Sequence, residues 1–339
     1  MKRICLVPKV EGVGGMVSFH AKFSQGLRQR GYEVCFDLAD KPYDAVLVIG
    51  GTRDLGGLMA RRRSGVPIVQ RLNGMNWIQR KRRTGLKHFL RAEYGNFMLS
   101  LIRGRIATHI VYQSQFARGW WERVYGKTRV PWDVVYNGVD LTQYTPEGAQ
   151  ERPAERSRIL LVEGSLGGGY EMGLETAIGL GERLINSHSH KVELMVVGKV
   201  SETLKAAWSG RTQLPILYAG LVPRDEIPFL DRSAHLLYAA DIQAACPNST
   251  VEALACGLPV ISFDTGALPE LVTGESGRVV PYGGDAWKLD PPDLDGLARA
   301  AAEVLADQPR FRAAARKRAE EALGLDRMVD GYLAALLTA

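Results

Sequence analysis

The chain has 339 residues, 46% of them hydrophobic, with a formal net charge of +6, and that length exceeds what one core usually holds, so two domains are expected. No apolar run approaches the ~20 residues that span a bilayer, and the short apolar stretch after Lys2 and Arg3 is too brief for a secretory signal, so a cytosolic chain is expected. The four cysteines, Cys5, Cys35, Cys246 and Cys256, have no CxxC spacing, which argues against a zinc cluster or a disulfide framework and for buried thiols.

Short β-rich runs alternate with helical periodicity in the first half: 4–7, a helix over 16–30, then 34–37, 45–49, 67–70, 109–112 and 134–136. The second half repeats the theme with 158–162, a helix around 171–185, then 192–197, 216–219, 235–238 and 259–263. Such alternation predicts parallel sheets with crossover helices, hence two doubly wound α/β domains. Between them 145–157, TPEGAQERPAERS, is polar and lacks an apolar face, which predicts a linker. The tail from 295 is helical by composition, with a break at 323–325.

Charge is unevenly spread. Residues 1–150 hold 24 Lys and Arg against 11 Asp and Glu, whereas the remainder holds 19 against 26. Within 61–105 there are 12 basic residues and one acid, with Trp77, Phe89 and Phe97 interleaved. A solvated basic face is the plain reading; the density favours attraction to an anionic membrane surface or acceptor. No helix-turn-helix, zinc-finger or RNP-like pattern accompanies the charge, so nucleic acid is not an expected partner.

The most informative stretch is CPNSTVEALACGLPVISFDTGALPELV at 246–272. Ser249 lies three residues before Glu252 at the head of an apolar run, which is a capping-box pattern. Gly257 suits a helix end, Pro259 prevents continuation, and 260–263 suits a buried parallel strand. A second small-residue turn at 264–267 precedes Pro269 and Glu270 at another helix start. Helix starts at strand ends offer backbone N–H groups, here of Asn248, Ser249 and Thr250, to phosphate or a sugar hydroxyl. From spacing alone Glu252 either closes the capping box or faces a ligand.

This stretch resembles the donor signature of the family-4 retaining glycosyltransferases of the GT-B fold, in which a Glu at the position of Glu252 holds the ribose of a nucleotide sugar. GVGGMVSFHAKFSQGLRQRGYEV at 12–34 resembles the family's first glycine loop and following helix. VYQSQFARGWWERVYG and VVYNGVDLTQYTP at 111–126 and 134–146 resemble the end of its acceptor domain and its linker. The resemblance covers nearly the whole chain, in order. It implies two Rossmann-like domains facing an interdomain cleft: 1–147 on the acceptor side, a linker at 148–157, a nucleotide-sugar domain at 158–325, and a helix at 326–339 crossing back to the first domain. It also implies retaining transfer of a sugar from a UDP- or GDP-sugar to a lipid-linked or polysaccharide acceptor of the cell envelope, without metal or other cofactor. The expected location is cytoplasmic, peripheral at the inner face of the membrane.

Transfer from a nucleotide sugar needs grip on the leaving diphosphate, recognition of ribose and sugar hydroxyls, and a placed acceptor. Gly14 and Gly15 let backbone approach a diphosphate. The corresponding second-domain loop, VEGSLGGGYE at 162–171, departs from the family: Ser165 stands where an Arg is usual, and no Lys or Arg follows until Arg183. Gly164, Ser165, Gly167, Gly168 and Gly169 either wrap an anion through backbone N–H groups or form a plain turn. Ala244 stands where the family's E-x7-E pattern has its first Glu. Lys199 and Arg224 are candidates for the missing positive charge, and Glu270 for the donor pocket. Arg71 and Asn73, after a strand where relatives carry a His, are the candidates for orienting the acceptor; a loop-capping role is the alternative. The departures also motivate a competing reading, a non-catalytic GT-B partner subunit that lost its donor-site cations.

Overall fold

In the computed structural model residues 2–10, 12 and 14–338 are described. The chain divides into two compact units, Met1–Gly138 with Gly324–Ala339, and Val139–Leu323. Unit 1 runs β1 (Arg3–Val7), α1 (Gly15–Gln29), β2 (Glu33–Cys35), β3 (Ala45–Ile49), α2 (Leu55–Arg63), β4 (Ile68–Leu72), α3 (Leu86–Leu101), β5 (His109–Tyr112), α4 (Gln115–Tyr125) and β6 (Trp132–Val134). Unit 2 follows with β7 (Ser157–Ser165), α5 (Met172–His188), β8 (Val192–Lys199), α6 (Glu202–Trp208), β9 (Ile216–Gly220), α7 (Ile227–Arg232), β10 (Leu236–Tyr238), α8 (Asn248–Ala255), β11 (Val260–Phe263), α9 (Leu268–Leu271), β12 (Gly277–Val280), α10 (Leu294–Ala306) and α11 (Gln308–Ala322). The chain then returns to unit 1 as α12 (Leu325–Thr338).

Each unit holds a six-stranded sheet, in the orders β2-β1-β3-β4-β5-β6 and β12-β11-β10-β7-β8-β9. The pairings are parallel throughout. The central strands β1, β3, β4, β5, β10 and β11 are buried on both faces, which is why they read as continuous apolar runs. Alternation is still visible in β1: Ile4 and Leu6 join one core cluster and Cys5 and Val7 the other.

The C-terminal helix is part of the core of unit 1. Met328, Val329, Tyr332 and Leu336 pack with Ile4, Phe19, Phe23, Leu47 and Val69. The Tyr332 ring lies 5.1 Å from that of Phe19 and 5.3 Å from that of Phe23. Gly26 makes the approach of α1 and α12 close, since a Cβ there would stand 2.5 Å from Val329 Cγ2. Arg30 fastens the end of α1 to α12 through Asp326 at 2.8 Å and Asp330 at 3.0 Å.

The segment 145–157 is not a free linker. Arg232, at the end of α7, donates from Nε to the Ala149 carbonyl at 3.0 Å and from Nη1 to that of Thr145 at 3.2 Å. Arg152 returns a bond to the Arg232 carbonyl at 2.7 Å, and the Glu151 N–H donates to Ser233 Oγ at 2.8 Å. Arginine, polar in composition, sews the strap onto unit 2, so the units divide at Gly138/Val139 rather than at 148–157, and at Leu323/Gly324 rather than after 325. Unit 2 is built around Leu161, Leu174, Ile178, Leu194, Val196, Leu236, Ile261, Leu297 and Phe311. Its sixth strand, β12, has no sequence-based counterpart above; Gly277 admits it, because a Cβ there would lie 2.0 Å from the Val260 carbonyl oxygen.

Candidate functional site

In unit 2 the candidate residues gather at the carboxyl ends of parallel strands, where an open α/β sheet binds its ligands. α8 begins at Asn248 with Pro247 as its N-cap, and no side chain caps it. The expected capping box at Ser249 is therefore absent: Glu252 sits in the second turn, too far along the helix to reach back to the start. The N–H groups of Asn248, Ser249 and Thr250 form the uncapped first turn, and Gly257 (φ 66°) closes the helix end.

Glu252 is 7% exposed and Tyr144 1% exposed. Burial, then the Glu252 and Asp231 carboxylates, push the Tyr144 phenol up, and Arg224 partly offsets this. The Tyr144 hydroxyl donates to the Arg224 carbonyl at 3.4 Å. Arg224, in a turn after the edge strand β9, is thus brought to the neighbourhood of Glu252. Asp231, on α7, is 1% exposed. Burial and the nearby Glu252 hold its carboxyl well above the usual carboxylate range. Sequence reasoning missed both Tyr144 and Asp231: Tyr144 stood in the linker motif, and no local pattern singles out Asp231.

At the ends of β7 and β8 the register pairs Ser165 with Lys199, and the Leu166 N–H donates to the Lys199 carbonyl at 3.0 Å. Lys199 is exposed. The approach depends on Gly198, whose φ is 135° and whose Cβ would stand 1.8 Å from the Glu163 carbonyl oxygen. In the following loop Gly168 and Gly169 have φ of 69° and 106°, which explains two of the three glycines by conformation alone. The Gly169 N–H already donates to the Glu171 carboxylate at 3.1 and 3.2 Å. Gly164 and Ser165 are exposed, and a Cβ on Gly164 would meet nothing within 4 Å.

Glu163, at the end of β7, and Asp241, three residues beyond β10, are near neighbours because β7 and β10 pair. Burial raises both carboxyls, and the Asp241 charge raises Glu163 further. Desolvation, then these two carboxylates, push the Tyr170 phenol up to about 12. Ala244 is buried, and the 264–267 turn packs on it: the Ala267 N–H donates to its carbonyl at 2.8 Å, and a Cβ on Gly266 would meet that oxygen at 2.6 Å. Glu270 lies in the single turn α9, and its carbonyl accepts from Arg318 Nη2 at 2.7 Å.

In unit 1 Gly14 caps α1 at φ 134° and Gly15 begins it; Gly14 needs glycine for that φ, since a Cβ on it would meet nothing within 4 Å. Arg71 corrects the expectation of an acceptor-orienting residue. It is 1% exposed, donates from Nη2 to Asn137 Oδ1 at 2.9 Å, and lies 3.9 Å over the Phe19 ring. Gln113, with its amide oxygen turned inward, accepts from both terminal nitrogens at 2.8 and 2.9 Å. Arg71 is a structural cation of the sheet, chosen over Lys for its planar fork. Arg71→Lys keeps the charge but loses that fork, so we expect urea denaturation to show a loss of about 2 kcal/mol; an unchanged midpoint would return Arg71 to the acceptor site. Asn73 remains a candidate: it is half-buried just past β4, and its carbonyl accepts from Trp121 Nε1 at 2.7 Å. The 61–105 segment is likewise not uniformly solvated, since Arg103 is buried with Nε on the Tyr112 hydroxyl at 3.0 Å.

Residues 158–307 match the family model described as Glycosyl transferases group 1. That stretch lies within unit 2 and is similar to the group 1 glycosyl transferases. Over the whole length the chain has the GT-B fold, as three solved structures illustrate. Sucrose-phosphate synthase from Thermosynechococcus elongatus superposes with a TM-score of 0.76 at 15% identity, over 99% of each chain. WaaG, a glycosyltransferase involved in lipopolysaccharide biosynthesis, gives 0.71 at 15% identity over 99% of this chain and 100% of its own. Anabaena HepE, in complex with UDP and glucose, gives 0.66 at 15% identity over 100% of both. In sequence, 92 residues are 30% identical to the O-antigen chain mannosyltransferase B of Escherichia coli, spanning 27% of this chain and 22% of that protein. Among the described residues no cluster of three or more His, Cys, Asp or Glu is placed to hold a metal, and no helix is long and apolar enough to cross a membrane.

Proposed function

We propose that this GT-B chain is a retaining glycosyltransferase, moving a sugar from a UDP- or GDP-sugar onto a glycan or lipid-linked acceptor of the cell envelope. The observation that carries it is Glu252, sheltered just past the uncapped start of α8 and grouped with Tyr144 and Arg224, inside the stretch similar to the group 1 glycosyl transferases. In this reading Glu252 accepts from both ribose hydroxyls, and the first-turn N–H groups of α8 receive phosphate oxygens. Lys199, beside Ser165, supplies the positive charge that relatives carry in the glycine loop, with Arg224 as the second cation. HepE, with UDP and glucose bound, and WaaG, with its lipopolysaccharide role, support the choice of donor and acceptor class. Independence of metal and a cytoplasmic, membrane-peripheral location complete the reading.

The chemistry asked of these residues is electrostatic. The bond between the anomeric carbon and the diphosphate breaks as the acceptor hydroxyl oxygen attacks from the same face and gives its proton to the departing diphosphate oxygen, while Lys199, Arg224 and the α8 N–H groups stabilise the charge the diphosphate gains. Lys199→Ala should weaken binding of the donor about tenfold, the effect of one exposed charge-assisted contact. A panel of UDP- and GDP-sugars with product analysis tests the whole reading: a product whose anomeric configuration matches the donor, formed in the presence of a chelator, supports it. Absence of transfer with every donor would contradict it.

One observation favours a second reading. The Gly169 N–H is taken by Glu171, and Glu163 and Asp241 gather acid where relatives gather cations. A partner subunit that kept the fold but lost donor chemistry would show that arrangement, and would bind neither UDP nor GDP.

A further inference from the structure

We propose that the outward face of α3 is a docking surface for an anionic lipid bilayer. Leu86 is 75% exposed, Leu90 and Phe97 58%, Tyr94 52% and Phe89 38%. At 100° per residue all five fall within less than half of the helix circumference, so they form one continuous apolar stripe rather than scattered exposure. Residues 85–91 are exposed without exception, so the first half of α3 stands clear of the chain. The second half is tied down: the Asn76 N–H donates to Asn96 Oδ1 at 2.9 Å, and Asn96 Nδ2 returns to the Asn76 carbonyl at 2.8 Å.

Charge complementarity names the occupant. Lys81, Arg82, Arg83, Lys87 and Arg91 border the stripe and are exposed, and among the described residues no carboxylate pairs with any of them. The one acid on this face, Glu93, is bound by Arg80 in a two-pronged pair that holds its carboxyl down at about 2, so it remains neutralised at every physiological pH. An apolar stripe bordered by basic residues, with no unpaired acid, matches acyl chains beneath phosphate headgroups. A protein partner would need acids placed against each base; a bilayer supplies them everywhere.

This deepens the proposed function by naming the surface from which a lipid-linked acceptor would be met. The experiment contains no donor, so failure of docking and failure of transfer are distinguishable. Flotation of the full chain with vesicles of phosphatidylcholine alone, or with about a third phosphatidylglycerol, reads it at near-physiological salt. Wild type should float only with the anionic vesicles. Leu90→Glu with Phe97→Glu, both at exposed positions that leave folding intact, should lower the bound fraction at least about twentyfold, and Arg82→Glu with Lys87→Glu about fivefold per charge removed. Phe97→Trp should shift its emission to the blue on anionic vesicles. The proposal is overturned if wild type stays unbound, or if Leu90→Glu with Phe97→Glu binds as wild type. It is equally overturned by vesicle-free self-association that this double variant abolishes, which would make the stripe a contact between two copies.

Discussion

Glu252→Ala should lower kcat/KM for the nucleotide-sugar donor by a factor of about 10² to 10³ while the melting temperature stays within about 2 °C of wild type. The rate effect follows from two charge-assisted hydrogen bonds to a ribose, together about 3–4 kcal/mol. The stability effect follows from the surroundings. Glu252 is no cap, because α8 begins at Asn248, and its charge is one cause of the raised Asp231 carboxyl. Removing it relieves repulsion between two buried acids, which offsets the packing that the side chain supplied. Had Glu252 served the helix start, the same substitution would cost about 1 kcal/mol and the rate would not suffer. Steady-state kinetics and a thermal melt on one variant separate the two roles.

Gly198→Ala should be among the most damaging single substitutions in unit 2, costing about 4 kcal/mol or more. It combines a positive φ with a Cβ driven to 1.8 Å from a backbone oxygen of the neighbouring strand, and neither β7 nor β8 can give way without breaking the sheet. In calorimetry we expect a fall in melting temperature on the order of 10 °C or failure to accumulate folded protein. Gly164→Ala, 34 positions earlier in sequence and near the same strand ends, is the control: its φ is ordinary and its surroundings are open. A melting temperature that falls equally for both would contradict the argument. If the Gly164 backbone approaches a diphosphate, this control variant keeps its stability and loses donor affinity.

Both predictions turn on features of unequal visibility in the sequence. The strands were legible because burial on both faces makes them apolar and β-branched, as in AVLVI of β3 and VISF of β11. β12, GRVV, was not, since its burial comes from a glycine fitting under Val260 rather than from composition. The 145–157 strap was misread because polar composition does not distinguish a solvated linker from one whose carbonyls are held by Arg232. Arg71 was misplaced for a related reason: a position just after an expected strand suggests a site, whereas Arg71 lies inside β4 and the three polar and aromatic partners that bury it, Phe19, Gln113 and Asn137, are far apart in sequence. In the donor region spacing left Glu252 open between a helix cap and a ligand contact, the resemblance alone gave it a donor role, and its buried neighbours were not legible. Tyr144 and Asp231 reach it only through folding, and Glu163 meets Asp241 only because β7 and β10 pair.

Lys199 shows the same limit from the other side. Its place just past a strand made it a candidate in the sequence, but only register ties it to the glycine loop: Ser165 and Lys199 are opposed at the ends of adjacent strands. A cation supplied by a neighbouring strand can replace one lost from the glycine loop, provided the glycine before it allows the approach. This links the tight contact at Gly198 to the chemistry of the loop.

The central claim is that unit 2 holds a nucleotide diphosphate against Glu252. Calorimetric titration of UDP and of GDP into the full chain tests it most directly. The account predicts micromolar binding of one of them, weakened about 10² to 10³-fold in Glu252→Ala. No binding of either nucleotide, or binding that Glu252→Ala leaves unchanged, would contradict it.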